Sequence, residues 1–309
     1  MALQTDNIRL DDVAVGAFQR ELEIREAKVL EKKRAPLAFA DGLIVPIEIT
    51  DTPYAQTWSY RQVTAIGQME LIRDYTTTVP MVDVLSEEVI GRVYEYGLGY
   101  YIGDREAYAS QHLGQPIEDQ KISAAHRTTK EQLNKLIAYG DPKTGTKGFL
   151  NHPDFLRMVA PYAINSAATS DQLTTTLSTP VTAMVEITND AEKPDTLLIP
   201  RQEYEFLMNR RLDGAADAMS VMKAFLQNND HIKNIQPLNE LKGAGPNGEN
   251  IMVVYRRDPE AVKACITDSF KFKELIRKPW GFQRPGSMVY GGIKAYYPFS
   301  VMIVYLPTA

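Results

Sequence analysis

The sequence has 309 residues, of which 44% are hydrophobic and 24% charged, and its net charge is -5. This composition is ordinary for a soluble globular protein, and the acidic balance excludes the global basic field that sequence-specific DNA binding uses. The single cysteine, Cys265, excludes an intrachain disulfide and a cysteine-based zinc cage. The start of the chain has neither a signal-peptide pattern nor an apolar run long enough to span a bilayer, so we expect a cytoplasmic product with no membrane partner.

The chain begins with an amphipathic helical pattern. Residues 13–34 place Phe18, Leu22 and further apolar side chains among alternating charges, which predicts a helix that needs a surface to lie on. Residues 42–50 then favour a strand, and Pro46 confines that strand to an edge or a bend.

The next segment, residues 58–75, favours two strands with a turn at Ile66-Gly67-Gln68, which predicts a hairpin. Neither face separates apolar from polar residues, because Trp58 and Tyr60 share a face with the polar Gln62. An isolated hairpin is marginal in water, so we interpret the segment as a projecting arm that another surface completes. The alternative is an ordinary hairpin folded back on its own domain.

Two helices and a strand are expected before the middle of the chain. Residues 92–101 alternate aromatic with small or charged side chains, which predicts a strand with one aromatic face. A short helix follows at 104–112. Residues 117–139 carry the longest helical pattern, which would span roughly 35 Å at the usual rise per residue. Gly140 and Pro142 then give the usual signal for a helix end.

The second half alternates helices with buried strands, which predicts an α/β unit with helices covering a small sheet. Helices are expected at 170–188, 201–211 and 215–227, and buried strands at 195–200 and 251–255. The final strands are expected to return to the first half and pair there, at 288–290, 293–297 and 301–306.

The segment GDPKTGTKGFLN, residues 140–151, resembles a phosphate-binding loop in composition. Such a loop requires Gly-Lys-Ser/Thr between a strand and a helix, whereas Thr146 here precedes Lys147 and the loop follows a helix. The carbonyl end of a helix repels phosphate, which argues against nucleotide binding. We interpret the segment as a helix end and a solvated turn, after which Phe149 and Leu150 return to the core.

Other catalytic or metal patterns are weak. The loop at 243–248 matches a dinucleotide-binding spacing, but it contains Pro246 and no clear strand precedes it. Paired carboxylates occur only at predicted element ends, and no Gly-x-Ser-x-Gly occurs. Four histidines lack zinc-type spacing and are expected to be surface or capping residues: His112, His126, His152 and His231. We therefore expect no catalytic residues, no cofactor and no metal, and a protein that is not an enzyme.

The order of these elements resembles one known fold. The sequence is similar to tailed-bacteriophage major capsid proteins of the Hong Kong 97 type, a family related to encapsulin shells. The similarity is distributed over nearly the whole chain, without one diagnostic motif. The segments that carry it are FQRELEIREAKVLEKKRAPLAF at 18–39, LNKLIAYGD followed by GFLNHP at 148–153, PDTLLIPRQEYEFL at 194–207, and MVVYRRDPEAV at 252–262.

The resemblance implies an α+β fold with an N-terminal arm, an extended loop, a peripheral domain and an α/β axial domain. Its segments would be the N-arm at 1–53, the extended loop at 54–80, the peripheral domain at 81–169 and 258–309 with a spine helix at 115–139, and the axial domain at 170–257. The extended loop would lie over a neighbouring subunit, which accounts for its unsorted faces. The loop at 243–250 is a candidate for the tip that faces the symmetry axes.

The resemblance also implies a function. The protein would assemble with itself into pentamers and hexamers of an icosahedral head that encloses double-stranded DNA without sequence-specific binding. Scaffolding, decoration and portal proteins would be further partners, and the location would be the virion capsid after synthesis in the host cytoplasm. Two alternatives stay open: an encapsulin-like nanocompartment shell, and a soluble α/β enzyme with an unrecognised site.

Two departures from the type member matter. Residues 54–80 contain no lysine, so the resemblance implies a shell that is not covalently cross-linked through this loop. Little sequence precedes the arm, so we expect a separate scaffolding protein. The residues predicted to contact other subunits are Trp58, Tyr60, Arg61, Arg73 and Tyr75 on the hairpin, and Phe18 and Leu22 on the N-terminal helix.

Overall fold

The computed structural model describes residues 35–69, 81–113, 117–213 and 219–307. The chain divides into two compact units, Met1–Pro36 and Leu37–Ala309, and all the described helices and strands lie in the second. The predicted helix at 13–34 lies outside the described residues. So do four of the predicted interface residues: Phe18, Leu22, Arg73 and Tyr75.

Strands dominate the first third of the second unit. They are β1 (Ile47–Ile49), β2 (Thr57–Ile66), β3 (Asp83–Arg92) and β4 (Tyr94–Gly103). On β4, tyrosines and Leu98 alternate with exposed Glu95 and glycines, and the aromatic face is the buried one, as the sequence predicts. Two very short strands, β5 (Gly140–Asp141) and β6 (Thr146–Lys147), pair within the turn after the long helix, and β7 (Leu156–Val159) follows.

The five helices predicted after residue 100 are present, and the one predicted at 215–227 begins at Val221. They are α1 (Asp104–Leu113), α2 (Ile117–Tyr139), α3 (Ser170–Ile187), α4 (Arg201–Asn209) and α5 (Val221–Asn228). Helix α3 begins with a capping box, in which the Thr169 hydroxyl accepts from the Gln172 amide and the Gln172 side chain accepts from the Thr169 amide. No helix in the described ranges is both long enough and apolar enough to cross a membrane.

The remaining strands complete two five-stranded sheets. They are β8 (Thr196–Pro200), β9 (Asn234–Leu238), β10 (Ile251–Tyr255), β11 (Val262–Phe272), β12 (Ile276–Lys278), β13 (Gly281–Ala295) and β14 (Val301–Tyr305). The first sheet has the order β1-β11-β13-β12, with β4 also paired to β13. The second sheet has the order β7-β14-β10-β8-β9.

The second sheet separates two hydrophobic cores. On β10, Ile251, Val253 and Tyr255 belong to one core cluster, whereas Met252 and Val254 belong to the other. Because successive strand residues point to opposite faces, a strand between two cores must be apolar at every position. This explains the uninterrupted apolar runs that the sequence shows at 196–200 and 251–255.

The hairpin pairing differs from the prediction. Strand β2 pairs with β3 in continuous antiparallel register, from Thr57 opposite Arg92 to Ile66 opposite Asp83. The predicted pairing of β2 with residues 69–75 is therefore wrong, and the predicted end of the extended loop at residue 80 falls before the second strand. Pattern alone missed this because the connection after Ile66 is much longer than a tight turn. Residues 70–80 lie outside the described residues.

The C-terminal strands also differ. The two strands predicted at 288–290 and 293–297 are one strand, β13, of 15 residues. Strand β14 does not pair in the first sheet. It lies in the second sheet, antiparallel to β10 and parallel to β7. The expectation that the final strands complete the peripheral domain stays a prediction for β14, whose partner β7 lies within residues 81–169 and whose alternate side chains fill both cores.

The end of α2 matches the prediction closely. Gly140 has a φ of 74°, the left-handed conformation that commonly ends helices. Asn151 fixes the turn by accepting from the Gly148 amide and donating to the Tyr139 carbonyl. Phe149 and Leu150 are buried in the core cluster beside α2. The chain therefore reverses direction after α2 and packs beside this helix.

Gly140→Ala and Gly145→Ala separate steric crowding from backbone strain at this turn. Both glycines have a φ near 74°, at 74° and 73°. An added Cβ at Gly140 would lie 2.1 Å from the Thr146 carbonyl oxygen, whereas at Gly145 it would meet nothing within 4 Å. We expect Gly140→Ala to lower the unfolding free energy by about 3 kcal/mol or more, and Gly145→Ala by about 1 kcal/mol. Urea denaturation of the unassembled chain measures both, and equal losses would contradict the steric explanation.

Candidate assembly surface

The hairpin formed by β2 and β3 is a separate two-stranded sheet that is anchored at one end. Its base is Thr57–Gln62 with Glu87–Arg92, and its tip is Val63–Ile66 with Asp83–Ser86. The Trp58 indole nitrogen Nε1 donates to the Gly291 carbonyl at 2.6 Å, and the Tyr60 hydroxyl donates to the Ala295 carbonyl at 2.6 Å. The base therefore has a fixed position on the body.

Among the described residues, the tip forms no hydrogen bond with the body. All eight of its residues are exposed, among them Val63, Val84 and Leu85, which are 64%, 55% and 58% exposed. Val63 and Val84 lie on one face, and Leu85 on the other, because directly opposed residues share a face. Apolar side chains on both faces of a two-stranded sheet favour coverage by another surface.

A broad groove lies beside the hairpin. Its volume is about 1230 Å³, and β2 forms one wall at Arg61–Thr64. The opposite wall carries exposed apolar side chains from the body, Ile187, Tyr297 and Phe299. Val63 adds one exposed apolar side chain on the β2 wall, and exposed apolar side chains on both sides of a groove are typical of a site that accepts a protein segment.

The predicted interface residues thus fall into different settings. Trp58 and Tyr60 stack with their rings 5.9 Å apart and face β13 of the same chain. Arg61 is exposed on the opposite face, with Glu88 directly across the hairpin. The base of the hairpin therefore fits the alternative of a hairpin folded back on its own domain, and the exposed tip fits the interpretation as a projecting arm.

An ionic cluster that sequence reasoning missed lies beneath the hairpin base. The Glu48 carboxylate accepts from Lys263 Nζ at 2.8 Å and from Lys294 Nζ at 2.9 Å. Lys294 also lies over the Trp58 ring, 5.4 Å from its centre. Since Glu48 and the lysines are more than two hundred residues apart, no local pattern reports their contact.

The cluster shifts the acidity of its members. Burial alone would raise the pKa of Glu48, but the hydrogen bonds from Lys263 and Lys294 outweigh it and lower the pKa. Burial alone would lower the pKa of Lys294, but the hydrogen bond to Glu48 outweighs it and raises the pKa. Both shifts favour the ion pairs at neutral pH.

A second recess, the base cleft, has a volume of about 400 Å³. It lies between the hairpin base, the β5–β6 turn and the residues just before β7, among them His152. His152 stacks on Phe155, with ring centres 4.7 Å apart, and burial lowers its pKa. The turn that resembles a phosphate loop in sequence, residues 144–147, thus lines a cleft after all, although no helix begins there.

The other chemical candidates stay apart from one another. The loop at 243–250 closes on itself, with the Gly243 amide donating to Asn250 Oδ1 at 2.9 Å. Cys265 is buried, and burial raises its pKa. Within the described ranges, no group of three or more His, Cys, Asp or Glu side chains is placed to hold a metal ion.

Glu48→Gln tests the ionic cluster by its pH dependence. We expect a loss of about 1–3 kcal/mol in unfolding free energy at pH 7, because both lysines lose a charged acceptor. A carboxyl group with a lowered pKa stabilises the fold above its ordinary value of 4.5, and this contribution disappears as the pH falls through the folded-state pKa. The difference from wild type should therefore shrink below about pH 4.

Denaturant unfolding between pH 3 and pH 8 measures this difference. Glu274→Gln, which removes an exposed acid from the loop between β11 and β12, is the matched control. A wild-type advantage that is constant over the whole pH range would contradict the assigned role of Glu48.

Comparisons with known proteins identify the family. A sequence model of the family described as "Major capsid protein" matches residues 67–306, more than half of the chain. A search among curated proteins finds no match.

Solved structures share the fold over nearly the whole chain. The capsid of Myoviridae phage XM1 aligns with a TM-score of 0.79 at 16% identity, covering 93% of this chain and 97% of that one. Mycobacterium phage Ogopogo aligns at 0.58 and 14% identity, covering 94% and 98%. A virus-like particle from Pyrococcus furiosus aligns at 0.51 and 13%, covering 87% and 97%. With its family matched over most of its length and its mixed helix and strand fold shared with phage capsids, this chain belongs to the major capsid protein family and is a structural protein of a phage shell.

Proposed function

We propose that this chain assembles into the pentamers and hexamers of an icosahedral phage head that encloses double-stranded DNA. The observation that carries the proposal is the family match over residues 67–306. The fold shared with the XM1 capsid supports it, since 97% of that chain is covered. Contacts repeated over many copies convert weak individual interfaces into a stable shell.

The Hong Kong 97-type domain plan applies with changed bounds. The extended loop would be the hairpin from Thr57 to Arg92. The peripheral domain would comprise the first sheet and α2, and the axial domain the second sheet with α3, α4 and α5. The loop at 243–250, at the start of β10, would face the symmetry axes.

Noncovalent overlap would hold the shell together. The whole of residues 54–92 contains no lysine, so a lysine on this hairpin cannot form an isopeptide bond. The exposed apolar tip would instead lie against a neighbouring subunit, with Arg61 near the same contact. For the predicted N-arm, which includes Phe18 and Leu22, we propose a second strap between subunits, together with Arg73 and Tyr75 on the extended loop.

The proposed partners follow from this role. The chain itself is the main partner, and scaffolding, decoration and portal proteins would complete the head. With a net charge of -5, the protein would enclose the genome without gripping it. Synthesis in the host cytoplasm would precede incorporation into the virion.

A phage head is favoured over the two alternatives. The matching family is that of major capsid proteins, and the archaeal virus-like particle aligns at a TM-score of 0.51, against 0.79 for the XM1 capsid. The family also indicates a structural and not a catalytic role, which argues against the enzyme alternative.

Charged substitutions at the hairpin tip test the proposal. Wild-type protein should form closed shells in negative-stain electron microscopy, and Val63→Glu combined with Val84→Glu should reduce the assembled fraction at least tenfold. Both side chains are exposed, so we expect the unfolding free energy of the unassembled chain to change by less than about 0.5 kcal/mol.

Leu226→Glu adds charge at an exposed apolar position on α5 and is the control. The shell proposal would be overturned if the wild-type protein gave small particles alone in gel filtration and microscopy. Normal shells from the double variant would overturn the role of the tip.

A further inference from the structure

The base cleft contains two cations without an ionic partner. Arg92 ends β3 and Lys147 ends β6, and both line the cleft. Among the described residues, neither side chain forms an ion pair. Of the described residues that line the cleft, Asp154 alone carries a carboxylate, whose Oδ2 is 3.8 Å from His152 Nδ1. Two cations and one carboxylate leave a net charge of +1, since burial keeps His152 toward its neutral form.

The cleft also contains uncharged polar groups beside its two cations. His152 Nδ1 is buried and has no hydrogen-bond partner. The hydroxyls of Thr144 and Thr146 also lie on the turn that lines the cleft, where they hydrogen-bond to each other at 2.8 Å. A net charge of +1 beside hydroxyl and imidazole groups fits a single anionic group with two acceptor oxygens.

The apolar side chains that line the cleft restrict the kind of anionic group that can bind there. Trp58, Ile90 and Ile293 add apolar surface to the cleft, so its occupant should carry apolar groups next to the charge. A nucleic-acid phosphate has sugars and further phosphates as neighbours, and this does not match such walls. A carboxylate side chain on a partly apolar protein segment matches both the charge and the walls.

The hairpin tip is a segment of this kind. The face of the hairpin that rests on the body at Trp58 and Tyr60 continues to the tip as Thr64 and Ile66, with Leu85 and Asp83 directly opposite them. Ile66 and Leu85 are 51% and 58% exposed. Asp83 is exposed and forms no ion pair with any described residue. This face therefore presents one carboxylate beside two apolar side chains.

The tip cannot enter the cleft of its own chain. The strands of the hairpin have 10 residues each, so tip and base are roughly 30 Å apart at the usual rise per strand residue. We infer that the base cleft is a carboxylate-binding site that receives Asp83 of a second copy, with Arg92 and Lys147 as its cations. The inference rests on the proposed function and adds the contact by which one copy would hold the next.

Such a contact is heterologous, because a tip on one copy meets a cleft on another. A chain of copies joined by heterologous contacts has one free tip at one end and one free cleft at the other until a ring closes. The same chain can thus form rings of five or six copies, provided that the hairpin tolerates the two angles.

Cysteine pairing in assembled shells tests the contact directly. Asp83→Cys with Lys147→Cys should give a ladder of covalent oligomers on a denaturing gel after treatment with a bismaleimide cross-linker, because each copy would be linked to the next. Each single variant should stay monomeric on the gel. The native Cys265 is buried and should contribute no background. The cross-linker is needed because an Asp–Lys ion pair can hold its Cα atoms farther apart than the about 7 Å that a disulfide tolerates. Shells of the double variant that yield only monomers after this treatment would overturn the contact.

Charge reversal provides the second measurement. Asp83→Lys and Lys147→Asp should each lower the assembled fraction at least tenfold, and their combination should restore it to within about threefold of wild type. Lys143→Asp, in the same turn but outside the cleft, should assemble like wild type. Circular dichroism confirms folding, and Lys147→Gln replaces Lys147→Asp if the latter fails to fold, with a smaller loss expected.

The outcomes separate the two proposals. A wild-type protein that forms no shells overturns the proposed function and this inference with it. Shells that form equally well in every charge variant overturn only the inference. Loss of assembly in both single variants without rescue in the combination means that each charge acts elsewhere, which overturns the pairing of Asp83 with the cleft.

Discussion

Strand β13 is the element on which the other parts of the first sheet depend. It pairs with β4 from Gly281 to Tyr290 and with β11 along most of its length. The buried Tyr290 also donates to the Leu136 carbonyl of α2. Pairing with β4 stops at Tyr290, and just beyond that point the Gly291 and Ala295 carbonyls accept from Trp58 and Tyr60. The hairpin is therefore anchored where the ladder on β13 would otherwise lack hydrogen-bond donors.

Much of the local structure could be predicted from the sequence, because its causes are local. The stripe of apolar residues and the glycine at position 140 define α2 and its end. The apolar runs at β8 and β10 report strands buried on both faces. The turn chemistry around residues 140–151 was also readable, including the return of Phe149 to the core. In each case the residues that determine the local structure lie in the segment that adopts it.

The parts that could not be predicted depend on distant partners. The strand that pairs with β2 begins at Asp83, and the last strand, β14, lies beside β10 in the second sheet. Both facts require knowledge of which apolar strand faces which core. The cluster of Glu48 with Lys263 and Lys294 joins the two ends of the unit, and its residues look like ordinary surface charges in the sequence. Contacts between residues so far apart in the chain produce no periodic pattern in the sequence.

The division of the hairpin into an anchored base and an unsupported tip has a thermodynamic consequence. Binding a mobile segment costs conformational entropy for each residue that becomes ordered. Because Trp58, Tyr60 and Gln62 already bind the hairpin base to the body, part of that cost is met during folding. In the proposed assembly, the exposed apolar side chains of the tip would then contribute their burial to contacts between copies. If the proposed contact holds, the exposed tip favours association over isolation, and the fixed base determines the direction in which the next copy is added.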